Sequence, residues 1–296
     1  MDVDVDLAQD PPVASIPPDK VEKVKRYLQS VADAKVGDKR DLQFWEELLG
    51  ILNWISSVLV SGRFHLAQVV SARRAAAYRG GMRCTVELKS ECQWWWDVVM
   101  KWNRVAIILP PVHAPSPFSM ADSPTTDAAG GVDGGGGGGF FAGMWCACKF
   151  SQYEIDNLDI MELEAMTYCI FLKMLIDRDP GLVQGRRFTA RNDNQPWVAA
   201  CNSNDSSKPA IAVLLAWLHE LMALYSFAVE LEWIKSADNV AADALSRGDR
   251  QRFLEAATDS GFPPSSLVFL QMPDRSALVS KMICAKSSAR SMLQGP

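Results

Sequence analysis

Four acidic residues, Asp127, Glu162, Asp193 and Asp243, occupy places where a carboxylate is costly unless it does something. Asp127 ends a short polar strand and precedes small residues. Glu162 lies in the first turn of the most apolar helix of the chain. Asp193 follows the strand FTARN, and Asp243 lies in a short helix otherwise built of alanine and leucine, NVAADALSR. Moving a carboxylate out of water costs on the order of several kcal/mol unless it is paired. Converging carboxylates would also repel one another, and a pair of divalent cations removes that repulsion. All-oxygen ligands suit Mg²⁺, which keeps some of its water and accepts phosphate oxygens. Taken singly, each acid also fits a bland role. Asp193, between Asn192 and Asn194, fits a turn, and Glu162 fits the positive end of its helix. The ordered set of four is what points to a metal site.

The elements around these residues alternate in type. Val21, Val24, Tyr27 and Leu28 recur at helical spacing, and so do Leu42, Trp45, Leu48, Leu49, Leu52, Ile55 and Val58. Further helices are expected over 64–78 and 88–102, the latter holding Trp94, Trp95, Trp96 and Trp102. Residues 20–110 thus read as a small helical unit. The proline-rich stretch LPPVHAPSP (109–117) is a natural boundary. Beyond it come a strand ending at TTDAAG, a glycine run (134–139) read as a flexible turn, and a strand in FFAGMWCACKF. A helix over 160–176, apolar all round, belongs in a core. It is followed by a strand at 187–190, helices at 195–202 and 210–228, a strand at 229–234 and a helix at 239–247. The order is mixed α/β. Residues 1–19, acidic and proline-rich, are expected to be disordered, and residues 249–296 to form a tail.

Composition limits the possibilities. An apolar fraction of 48% excludes wholesale disorder. No run of about 18 apolar residues suggests a membrane span, and the acidic N-terminus lacks a secretory signal. The seven cysteines are irregularly spaced and read as thiols of a reducing compartment, so an intracellular protein is expected, cytoplasm and nucleus alike. The net charge of −5 is unevenly spread: +6 over 20–110 and −6 over 111–296. That split suits a phosphate-gripping part joined to a metal-binding part.

The motifs resemble type 1 ribonuclease H as carried by retrotransposon reverse transcriptases. TDAAG is similar to the family's first strand. LDIMELEAM is similar to its second motif and selects Glu162 over Glu164. RNDNQPWVAACN is similar to the third motif, and EWIKSADNVAADALSR to the fourth, ADALSR being the most specific single match. These matches span 117–248. Upstream, LLGILNWISSVLVSGRF and ECQWWWDVVMKWN resemble segments between the polymerase palm and the ribonuclease H domain of DIRS-like and related retroelements.

The resemblance implies a ribonuclease H-like mixed five-stranded sheet flanked by helices, preceded by a small helical thumb- or connection-like unit. It implies cleavage of the RNA strand of RNA/DNA hybrids, with two Mg²⁺ ions (Mn²⁺ as substitute) held by Asp127, Glu162, Asp193 and Asp243. Arg63, Arg73, Arg74, Asn194 and Asn239 are candidate contacts to the nucleic acid. A polymerase-containing polypeptide of the same element is a further expected partner, and no membrane is. The sequence departs from the family pattern in four respects. No Tyr-x-Asp-Asp polymerase motif is present, so polymerase activity is not expected. The loop KSADN lacks the histidine of many members, Pro124 sits in the first strand, where a backbone donor is needed, and the glycine run lengthens the turn after Asp127. A remnant that no longer cuts, or a binding module on the same fold, is the alternative.

Overall fold

The computed structural model describes residues 4–6, 13–56, 59–101, 105–107, 114–115, 123–130, 135–204, 206, 208–225 and 227–294. Trp102, Gly134 and most of the proline-rich stretch lie outside them. The chain divides into two compact units near Val112 and His113.

In the first unit, β1 (Asp4–Asp6), β2 (Val13–Ser15) and β5 (Val105–Ile107) form an antiparallel sheet, so part of the segment expected to be disordered is paired. The helices are α1 (Pro18–Asp33), α2 (Leu42–Ile55), α3 (Ala67–Arg79) and α4 (Val86–Lys101). Between them, β3 (Lys39–Arg40) pairs with β4 (Met82–Arg83). The helical spacing seen in the sequence becomes the core. Val21, Val24, Leu28 and Val31 of α1 are buried with Trp45, Leu48, Leu52 and Ile55 of α2 and Leu88, Cys92, Trp95 and Val99 of α4. Asp41 caps α2 by accepting from the Phe44 N–H at 2.9 Å, and Gly80, at φ +63°, ends α3 in the left-handed conformation.

The second unit is an α/β layer structure whose mixed sheet has seven strands among the described residues, the expected five being extended by two two-residue strands at 114–115 and 268–269. Its strands are β6 (Ala114–Pro115), β7 (Thr125–Ala129), β8 (Gly136–Phe141), β9 (Met144–Lys149), β10 (Arg186–Asn192), β11 (Ala228–Trp233) and β12 (Val268–Phe269). The spatial order is β11-β10-β7-β8-β9-β12, with β6 also against β10. β7 lies parallel to β10 and antiparallel to β8, and β8 is antiparallel to β9. The helices are α5 (Gln152–Asn157), α6 (Ile160–Arg178), α7 (Gln195–Ser203), α8 (Pro209–Leu224), α9 (Val240–Ser246), α10 (Arg250–Asp259) and α11 (Ser276–Gln294). Nearly every residue of α6 from Met161 to Ile176 is buried, as its all-apolar sequence requires. Pro124 costs the sheet nothing, because it precedes β7 and its carbonyl accepts from the Arg191 N–H at 2.8 Å.

Gly136–Gly139 are strand, not turn, and all four are buried. A Cβ at Gly138 would lie 2.4 Å from the Leu245 Cβ on α9, and one at Gly139 would lie 2.5 Å from the Phe171 ring on α6. Helices thus press on β8 from both faces, and only glycine admits them. Local turn propensity is overridden by packing. Gly139→Val is expected to destabilise the fold by about 3 kcal/mol, despite valine's preference for strands. A thermal melt unchanged by the substitution would contradict this packing.

Residues 249–291 are part of this unit rather than a tail. Phe253 and Ala257 of α10 are buried with Phe140 and Leu245, and β12 extends the sheet beside β9. Arg275 pairs with the buried Glu154 and donates to the Lys149 carbonyl at 2.8 Å. The expected end of the domain at residue 248 is therefore moved to 291, the compact unit covering 113–291. A fragment ending at residue 250 would leave the β9 edge and the Phe140–Trp145 surface uncovered. Expression of both fragments checks this, with 113–291 soluble and cooperatively folded and 113–250 aggregated.

Candidate functional site

Parallel pairing of β7 and β10 sets two of the acids side by side. Asn192 lies opposite Thr126, so Asp127 and Asp193 are the next residues along adjacent strands. Sheet geometry keeps such neighbours about 5 Å apart across the strands. Asp127 is buried, at 6% exposure, and accepts a hydrogen bond from the Ser246 hydroxyl. Burial raises the Asp127 carboxyl above the usual carboxylate range, Ser246 opposes the shift, and the charges of Asp193 and Asp243 add to it. Asp243 comes in from α9, where Arg247 holds one carboxylate oxygen at 2.7 Å and Arg252 holds the other. The Arg247 guanidinium is held in its charged form first by its hydrogen bond to Asp243, with Asp127 and Asp193 contributing.

On α6 the acid that feels the charges of Asp193 and Asp127 is Glu164, whereas the expected Glu162 is paired at the helix end. Asp159 caps α6, and Glu162, three residues on, completes a capping box. Its Oε2 accepts from the Asp159 N–H at 2.9 Å and from the Lys286 Nζ at 2.6 Å. Glu162 is thus paired within its own helix end. Two residues further, Glu164 projects about 200° around the helix axis, toward the aspartates. Burial pushes its carboxyl up to about 8. Asn194 hydrogen bonds to it and opposes the shift, while the charges of Asp193 and Asp127 reinforce it. Its Oε2 is buried without a partner. The pattern Asp-x-x-Glu ahead of an apolar run was the sequence signal for this assignment, because it commits Glu162 to the cap.

Asparagines bind the elements together. Asn192, fully buried, donates to the Thr126 hydroxyl at 3.1 Å and its carbonyl at 3.3 Å. Asn194 caps α7 by accepting from the Trp197 N–H at 3.0 Å. Asn239, expected to face nucleic acid, is 1% exposed and engaged inside the protein. The other candidate contacts belong to the first unit. Arg63 and Arg74 are exposed, and Arg73 pairs with Glu46 at 3.0 Å.

The donor set of Asp127, Glu164, Asp193 and Asp243 is purely carboxylate and fits a hard divalent cation. The unpartnered Glu164 Oε2 and the buried Asp127 are the features such an ion would satisfy. Among the described residues, however, no three His, Cys, Asp or Glu side chains converge closely enough to hold one. Asp243 would have to exchange at least one arginine for the ion.

No family model matches the chain, and no curated protein matches its sequence. A solved structure of a foamy viral protease–reverse transcriptase in complex with double-stranded DNA is similar over 75% of this chain. The identity is 12% and the TM-score 0.28, and the match spans 36% of that chain. The fold therefore rests on the strand order and register above. No helix among the described residues is long and apolar enough to cross a membrane.

Proposed function

We propose that the chain is an endoribonuclease that cuts the RNA strand of RNA/DNA hybrids. The observation that supports this reading is the register that sets Asp127 and Asp193 on adjacent strands, with the charges of Asp193 and Asp243 felt at Asp127 and those of Asp193 and Asp127 felt at Glu164. Carboxylates so placed repel one another in the folded protein, and a divalent cation is the partner that relieves them.

The four would hold one or two Mg²⁺ ions, with Mn²⁺ as a substitute. Such ions, when bound, supply a water acidic enough to attack phosphorus and a counter-charge for the leaving 3′ oxygen. The chain's own groups do the rest. The Ser246 hydroxyl orients Asp127. Arg247 and Arg252 balance Asp243. Burial pushes the Glu164 carboxyl up to about 8, so a bound cation would have to displace its proton. Discrimination of RNA from DNA would rest on the 2′-hydroxyl. The basic first unit, with Arg63, Arg73 and Arg74 on it, would supply phosphate contacts. A polymerase-bearing polypeptide is the further proposed partner, since this chain has no Tyr-x-Asp-Asp motif.

One observation favours a second reading, a nucleic-acid-binding module that does not cut. Asp243 is already neutralised by two arginines, and no three ligating side chains converge. Incubation with labelled hybrid, all-DNA duplex and single-stranded RNA, in Mg²⁺ and in EDTA, separates the two. Cleavage confined to hybrid with Mg²⁺ fits the nuclease. Retention of hybrid on a filter without cleavage fits the binding module.

A further inference from the structure

We infer that Asn239 is a positioning residue that fixes the spacing of Asp127 and Asp193, and so sets the divalent-cation affinity of the site. This rests on the nuclease reading above. Its Nδ2 donates to the Thr126 carbonyl at 3.0 Å and to the Asp193 Oδ1 at 3.3 Å. The Thr126 carbonyl belongs to the peptide bond that leads into Asp127. One amide therefore grips the backbone behind one acid and the carboxylate of the other.

Three observations indicate that the amide is held for this purpose. First, asparagine is among the strongest N-cap residues, and Asn239 stands at the N-cap of α9. Even so, its side chain accepts no hydrogen bond from the helix, whereas that of Asn194 at the start of α7 does. Second, the amide orientation is forced. Thr126 O can only accept, so it is Nδ2 that must face it, and the same nitrogen meets Asp193 Oδ1. Third, the remaining Oδ1 is left buried with no partner. An amide chosen for stability alone would satisfy both ends, and an orphaned buried acceptor calls for an explanation. Asn192 grips the same Thr126 carbonyl from β10 but does not touch the Asp193 carboxylate. Holding the strands together is thus already provided for, and what Asn239 adds is the link to the carboxylate.

Groups that orient a metal ligand from behind typically change metal affinity 10- to 100-fold when removed. The full-length protein and its Asn239→Ala and Asn239→Asp variants would be titrated with Mn²⁺ by electron paramagnetic resonance, alongside thermal melts of the metal-free proteins. We expect Mn²⁺ binding weaker by about 10-fold in Asn239→Ala. Asn239→Asp is expected to lose at least as much, because it keeps the shape but has no N–H to donate. Both should remain folded at the titration temperature. Unchanged Mn²⁺ affinity in either folded variant overturns the role of Asn239 and leaves the nuclease reading standing. A wild-type protein that binds no Mn²⁺ overturns both. If Asn239→Ala unfolds, Asn239→Asp decides.

Discussion

Glu164→Gln is expected to abolish hybrid cleavage, while Glu162→Gln leaves it largely intact. The two glutamates sit two residues apart on one helix but face different environments. Glu162 completes a capping box and meets Lys286, whereas Glu164 is buried against the charges of Asp127 and Asp193. Their effects on stability should be opposite as well. The Glu164 carboxyl titrates near 8 in the folded protein and near 4.5 otherwise. The folded state therefore holds a proton that the unfolded chain has released between those values. Stability from this group is full below about pH 4.5 and is lost as the pH rises toward 8. At about 1.4 kcal/mol per pKa unit, the loss between pH 5 and pH 8 in metal-free buffer amounts to at most about 4 kcal/mol. Glutamine cannot titrate, so the variant should melt at nearly the same temperature at both pH values from this cause and exceed wild type at pH 8. Glu162→Gln should melt lower than wild type by about 1–3 kcal/mol, because Lys286 loses its charged partner. Urea melts at pH 5 and pH 8 read both effects. Equal pH dependence in wild type and Glu164→Gln would show that Glu164 is not held neutral by the cluster.

Asp127→Asn should lower the cleavage rate by at least about 1,000-fold, since the several kcal/mol a metal supplies depends on this acid and each 1.4 kcal/mol is a factor of ten. Without metal the same variant should be as stable as wild type or more so, by about 1–3 kcal/mol. Asparagine keeps an oxygen for the Ser246 hydroxyl and removes a buried charge that Asp193 and Asp243 oppose. The rise in melting temperature on adding Mg²⁺ should shrink accordingly. Were Asp127 only a strand residue, Mg²⁺ would shift both proteins alike.

Much of this was legible in the sequence because it depends on periodicity. The buried stripes of α1, α2 and α4 and the fully apolar α6 announce themselves by spacing. The three aspartates stand beside turns and caps whose local chemistry is readable. What escaped depends on register and on tertiary contact. The motif string around Ile160–Ala165 contains two glutamates. Both are buried, and which one meets the aspartate charges depends on where Asp159 starts the helix and commits Glu162 to its capping box, which a string match does not show. The glycine run looks like a turn because glycine favours turns. Only the close approach of Leu245 and Phe171 explains why it is a strand. Residues 249–291 show little pattern because α10 buries only Phe253 and Ala257 and β12 is two residues long. Their order comes from Arg275 and Glu154, a partnership spanning 121 positions that no local reading could find.

The most direct measurement is a single-turnover assay on a hybrid whose RNA strand carries the label, with the pure full-length protein. Magnesium-dependent cutting of the RNA strand, absent with EDTA and absent in both Asp127→Asn and Glu164→Gln, is the expected result. Cutting that survives both substitutions, or hybrid left intact by folded wild-type protein in Mg²⁺ and in Mn²⁺, would contradict the account.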